Sequence, residues 1–149
     1  MGLGLAINLW AQGGKPKPDA QPKVYPKYPV FLGKSDISGG DVTITKAQFD
    51  ALLKQGLTAK DSLGNAMKFH GFTFTYGERN LYEDSVGKLM ILTDLLTEYC
   101  PGDTLTTNIT RTIFERSKRG DTAYIDNVQL VDLNGNSKLG RPMRIIITK

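Results

Sequence analysis

The spacing of apolar residues changes sharply between Leu105 and Val131, LTTNITRTIFERSKRGDTAYIDNVQLV. Ile109, Ile113 and Phe114 recur at the interval that aligns side chains on one face of a helix, and Thr106 stands where an N-cap hydroxyl accepts an orphan backbone N–H. Lys118 and Arg119 fall in the predicted last turn, where cations complement the helix dipole, and Gly120 follows as a left-handed stop. From Thr122 to Val131 the period becomes that of a strand rich in β-branched and aromatic residues. Asp132-Leu133-Asn134-Gly135-Asn136 supplies turn chemistry, and RIIIT, residues 144–148, predicts a closing strand that returns alongside the first.

Upstream, Val30-Phe31-Leu32 predicts a strand and Ser38-Gly39-Gly40 a turn. Thr45-x-x-Gln48 has the form of a capping box, opening a helix over 46–54 with Ala47, Phe49, Leu52 and Leu53 on its apolar face and Gly56 as its end. Residues 60–65 read as a turn into a strand over 66–76, in which Phe72, Phe74 and Tyr76 share one face and Thr73 and Thr75 the other. Parity places His70 on the aromatic face, as a partly buried structural histidine. Gly77-Glu78-Arg79-Asn80 reads as a hairpin tip. Residues 86–99, VGKLMILTDLLTEY, fit a helix through Leu89, Leu92, Leu96 and Tyr99 or a buried strand; periodicity does not separate the two, and length favours the helix.

These elements predict an α+β, β-rich fold: a β-sandwich-like domain with two or three short helices over residues 30–149. A chain of 149 residues is long enough to bury a core without disulfides or metal. Residues 2–11, GLGLAINLWA, resemble the apolar core of an export signal with cleavage after Ala11, although a basic segment in front of it is missing. Residues 1–11 are therefore expected to be a truncated signal sequence, which makes the protein periplasmic or otherwise exported. Residues 12–29 interleave proline with lysine and predict an extended linker.

The net charge of +4 is modest for this length and points only weakly to an acidic partner. Part of it gathers at Arg116, Lys118 and Arg119, the candidate partner-binding residues, but the aromatic interleaving of single-strand binders is absent there. Cys100 is the one cysteine, so neither an intramolecular disulfide nor a zinc-ligand spacing exists, and it reads as a small hydrophobe. Nothing in the sequence brings it to His70, the one histidine. No nucleophile elbow, Walker loop, metalloprotease helix or dinucleotide fingerprint occurs. Asp132-Leu133-Asn134-Gly135 opens like a calcium loop, but the glycine comes too early and no closing glutamate follows. Glu78, Glu83 and Asp84 are the candidate carboxylate pair for glycoside chemistry and read instead as a solvated turn. No catalytic residue, cofactor or metal is expected, and neither a small-molecule substrate nor a nucleic acid.

The segment RSKRGDTAYIDNVQLVDLNGNSK followed by RIIITK resembles the end of the C-terminal periplasmic domain of the GldM/PorM family. Arg119-Gly120, Tyr124-Ile125-Asp126-Asn127-Val128, Asn134-Gly135 and Ile145-Ile146-Ile147 occupy the places of that family's basic stop, strand, turn and last strand. Gly39-Gly40 with Ile44-Thr45-Lys46-Ala47 resembles its entry into a helix, and Phe72-Thr73-Phe74 one of its strands. The resemblance covers most of residues 30–149, and its motifs are structural rather than chemical. It implies a β-rich periplasmic domain that binds components of the type IX secretion and gliding apparatus. The family's transmembrane helix and long stalk are not seen in this sequence, so energy transduction is not implied. The expected function is a non-enzymatic, exported protein–protein interaction domain whose partners are envelope proteins, secretion-apparatus components among them, with homo-oligomers left open. The alternatives are a small enzyme or enzyme inhibitor with a cleft near His70, or a basic nucleic-acid-binding domain.

Overall fold

The computed structural model describes residues 26–148. The expected signal sequence over 1–11, and the expected linker up to residue 25, lie outside the described residues. Nine strands and two helices follow in the order β1 (Lys27–Tyr28), β2 (Val30–Leu32), β3 (Asp41–Ile44), α1 (Lys46–Gln55), β4 (Leu57–Ala59), β5 (Lys68–Glu83), β6 (Leu89–Pro101), α2 (Thr107–Arg116), β7 (Thr122–Val131), β8 (Ser137–Gly140) and β9 (Met143–Ile147). The fold is a strand-rich α+β domain, as its patterning predicts. The end of the proline-rich stretch is not linker, because Lys27-Tyr28 pairs parallel with Leu139-Gly140.

Seven strands form one sheet ordered β1-β8-β7-β5-β6, with β9 lying beside β7 and β3 beside β9. One edge of β7 is thus shared end to end by β8 and the predicted return strand β9, while its other edge pairs with β5. A separate antiparallel pair, β2 and β4, buries Val30, Leu32, Leu57 and Ala59 in the same core. Phe49 and Leu53 of α1 and Ile109 and Ile113 of α2 complete it. The capping box at Thr45 and Gln48 and the cap at Thr106 form where the sequence places them.

Two irregularities determine which side chains enter the core. Between Phe69–Leu130 and Gly71–Gln129, β5 spends two residues against one of β7; between Gly71–Gln129 and Thr73–Asp126, β7 spends three against two. Each bulge reverses the inside–outside alternation of its strand. Both Phe69 and Phe72 are therefore buried on β5, and Ile125 and Val128 on β7. The extra residue on β5 is His70, which is exposed rather than partly buried with the aromatic face, because parity does not carry through a bulge. On β7 the irregularity falls at Asn127, whose φ of 48° is the one positive value outside glycine among the described residues.

The end of α2 also differs from its prediction. The helix stops at Arg116, Ser117 is extended, and Lys118 and Arg119 lie beyond it in a turn closed by the Asp121 N–H on the Lys118 carbonyl. Gly120, at φ +95°, serves that turn and not the helix. The cation at the helix end comes from α1: Lys46 Nζ donates to the Phe114 carbonyl at 3.0 Å and to Ser117 Oγ at 2.9 Å, and pairs with Asp50 at 2.8 Å.

The Asp121 side chain is completely buried and completely satisfied. Its carboxylate accepts from the Tyr76 hydroxyl, from Arg79 N–H at 2.9 Å and from Lys118 N–H at 3.2 Å, and pairs with Lys118 Nζ at 3.3 Å. Its backbone carbonyl accepts from Ile147 N–H, and the Gly120 N–H donates to the Ile147 carbonyl. One residue thereby ties β5, the α2–β7 turn and the terminal strand. Asp121→Ala leaves a hydroxyl and two backbone N–H groups unpaired and should cost about 3–5 kcal/mol, read as a fall in melting temperature on the order of 15 °C.

Burial, and then the adjoining Asp121 carboxylate, hold the Tyr76 phenol well above its ordinary range. The folded chain therefore keeps a proton that the unfolded chain releases above about pH 10. That stabilisation is complete below this pH and falls above it, by up to about 1.4 kcal/mol per pH unit. In urea titrations the stability difference between wild type and Tyr76→Phe should stay constant at neutral pH and narrow once the pH exceeds about 10. A difference that does not change with pH counts against the buried neutral phenol.

Candidate interaction surface

The most conspicuous surface is built by β5 and β6. Their thirteen residue pairs run without a break from Gly71–Pro101 to Glu83–Leu89. Near the base one face is covered: Phe72, Phe74, Tyr76 and Cys100 are buried. That cover ends at the last turn of α2, where Arg116 closes on Glu78 through Nε at 3.2 Å and a second, shorter contact. From the Glu78–Asp94 pair outward the hairpin continues for five more pairs, an arm of roughly 17 Å.

The arm corrects two expectations. Gly77-Glu78-Arg79-Asn80 is not a hairpin tip but the middle of β5, and residues 86–99 are not a helix but the turn and most of β6. The tip lies at Asp84–Lys88. There the Asp84 N–H donates to the Lys88 carbonyl, Asp84 Oδ1 accepts from the Val86 and Lys88 N–H groups, and Gly87 sits at φ +84°. Asp61–Asn65 and Asp132–Asn136 make the same bonds, with Gly64 and Gly135 left-handed. The signal was therefore in the sequence: of its four D-x-x-G segments, those at Asp61, Asp84 and Asp132 hold the same place in each turn, while Asp36–Gly39 does not make these bonds. In the Asp61 copy the Asn65 backbone N–H, chief among several hydrogen bonds, holds the carboxyl below its usual range.

Strand parity distributes apolar side chains over both faces of the arm. The face away from α2 carries Leu81, Leu89, Ile91 and Leu95, exposed to 64%, 59%, 55% and 68%, with Tyr99 nearer the base. The face continuing from the core carries Tyr82, Met90, Leu92 and Leu96, all exposed. Ten of the thirteen large apolar residues exposed among the described residues fall between Leu81 and Tyr99, far denser than the scattered exposure of an ordinary surface. Asp94 is the single charge within Leu89–Leu96. It accepts from the Tyr82 hydroxyl at 2.7 Å and from Asn80 Nδ2 at 2.8 Å, and these bonds, the tyrosine's first, hold its carboxyl below the usual range.

The predicted cationic patch is brought together and largely neutralised. Arg116 and Lys118 converge on Glu78, Lys118 at 3.7 Å, and Lys118 also serves Asp121. Arg119 is exposed and has no ion pair among the described residues. The carboxylate pair is not assembled: Glu78 and Glu83 lie on opposite faces of β5, five residues or roughly 17 Å apart, beyond glycosidase separations. Asp84 is committed to its turn. Cys100 is buried, which raises its thiol pKa, while His70 stands exposed, so the two do not form a site. His70 does border an open cleft of about 640 Å³ with Gln129, Val131, Ser137 and Lys138 on its walls. Among the described residues that wall holds one imidazole, one ammonium and no carboxylate.

Because the core is closed without the arm, polar substitution there should be nearly free. Leu81→Ser and Leu95→Ser should each shift stability by less than about 0.5 kcal/mol, whereas Phe74→Ala should cost about 3–5 kcal/mol; denaturant melts distinguish the two classes. Comparison with known proteins returns no match, either to a family model or to a curated protein.

Proposed function

We propose that this chain is a non-enzymatic, exported protein–protein interaction domain that docks on an envelope protein through the β5–β6 arm, as an accessory of the type IX secretion and gliding machinery. One observation carries the interaction reading: large aliphatic side chains concentrate on an arm that the core does not need. Their side chains lose water only when something covers them, at about 25 cal/mol for each Å² buried. The placement in an envelope rests on the GldM/PorM resemblance and on the signal-like residues 2–11. In the same reading the body is the sandwich-like domain of that family; what supports it is that β2 and β4 bury their side chains in one core with the large sheet.

The second reading, a small enzyme or inhibitor, draws on the cleft beside His70. Among the described residues the one other ionisable side chain on its walls is Lys138, and no carboxylate stands by the imidazole, so binding is favoured over acid–base catalysis. The nucleic-acid reading is weakened by the pairing of Arg116 and Lys118 with Glu78.

A photo-reactive residue at Leu81, on the outward face, tests the proposal in the native cell. Leu81 should yield an adduct with an envelope protein, the same residue at Lys138 should not, and the processed chain should begin at Gln12. An unprocessed cytoplasmic chain, or adducts equally frequent at both positions, would overturn it.

A further inference from the structure

Natural sheets blunt an exposed edge with charged side chains, proline, a bulge or a short strand. Over Leu89–Leu96 the outer edge of β6 carries one charge, Asp94, tethered by Tyr82 and Asn80, and no lysine or proline, and its pairing with β5 is regular throughout. A largely apolar edge of this length is a template for another strand.

We infer that the occupant of this edge is the β6 strand of a second copy of this chain, paired antiparallel about a two-fold axis beside Thr93. A two-fold axis that joins two antiparallel edges stands perpendicular to the sheet. It keeps the equivalent faces of both copies on one side, so only residues of the same parity oppose each other. Centred on Thr93, the axis sets Thr93 against its own copy and Ile91 of each copy against Leu95 of the other on the outward face. On the opposite face Met90 meets Leu96 and Leu92 meets Asp94. At each end Lys88 of one copy comes opposite Glu98 of the other, a half-buried carboxylate that also accepts from the Thr106 hydroxyl, so two pairs of opposite charge flank the apolar centre. Moving the axis one allowed step along the strand, to Asp94, would oppose two carboxylates in place of the threonines. Centring it on Leu92 would separate Lys88 from Glu98.

The area agrees with this assignment. The six aliphatic residues Leu89–Leu92, Leu95 and Leu96 are each roughly half exposed and present on the order of 70 Å² apiece, or roughly 400 Å² per copy. A standard interface of about 800 Å² per partner holds roughly 450 Å² of apolar surface. Edge pairing covers the flanks of these side chains and leaves their outer ends open, so this area is an upper bound on the apolar contribution, and the main-chain hydrogen bonds of the new strand pair supply the rest. The pairing also merges the outward faces of two arms into one surface.

This inference rests on reading the arm as an interaction surface, but it is tested on the purified full-length chain alone. Loss of the envelope partner thus leaves it standing, and failure to self-associate leaves the Leu81 adduct to be judged separately. Light scattering after gel filtration at about 100 µM should give about twice the chain mass of 16.4 kDa, since a Kd near 1 µM leaves little monomer there. Ile91→Lys with Leu95→Lys opposes lysines at both outward pairs and should give a monomer with an unchanged circular dichroism spectrum. Lys88→Glu should weaken the dimer roughly tenfold, and Lys88→Arg should leave it unchanged. A wild-type monomer overturns the inference, including one that instead binds phospholipid vesicles through the arm. A dimer indifferent to the lysine pair, or to the Lys88 reversal, also overturns it.

Discussion

A buried carboxylate is among the most expensive groups a small core can hold, and this fold closes around one. Asp121 loses its water entirely and recovers it as three hydrogen bonds from two separate parts of the chain, with the Lys118 ammonium nearby. The donors are Tyr76 and Arg79 of β5 and Lys118 of the turn after α2, and the Tyr76 ring centroid lies 6.1 Å from that of Phe49. The Asp121 side chain thus joins β5 to the turn after α2, and its backbone joins that turn to the terminal strand. The same junction supplies the base from which the arm departs, since Arg79, whose N–H serves Asp121, follows the Glu78 that holds the end of α2.

From that anchored base outward, the chain changes its logic. Inside, each strand alternates between core and solvent, and polar groups are paired. Along the arm both faces are apolar and the one acidic group of β6's outer half is tethered by Tyr82 and Asn80. Of the three cations that the sequence singles out, Arg116 and Lys118 are paired with Glu78, and Arg119 stands exposed.

How much of this was legible in the sequence varied with the range of the cause. Caps at Thr45 and Thr106 are local hydrogen-bonding decisions, and they could be read directly. So could the strand character of residues 122–131 and the return of β9. His70 could not be placed, because a bulge depends on the partner strand, and the compensating irregularity at Asn127 lies 57 positions away. Residues 86–99 were misread for a related reason: a strand exposed on both faces loses the alternation that marks a strand, and its apolar run then imitates a buried helix. The third D-x-x-G turn was the overlooked clue, since recognising Asp84-Ser85-Val86-Gly87 as kin to the turns at Asp61 and Asp132 fixes the tip and makes both flanks strands.

The tip turn is self-contained, its bonds running only among Asp84, Val86, Gly87 and Lys88. The arm can therefore change length without disturbing either its cap or its base, provided that both strands change together. Adding or removing two residues from each strand preserves the two faces and moves the tip by roughly 7 Å, whereas a single residue from each exchanges them. Reach is thus a quantised property here, adjustable in whole pleats, which makes this hairpin a natural place for related chains to differ in what they span while keeping one body.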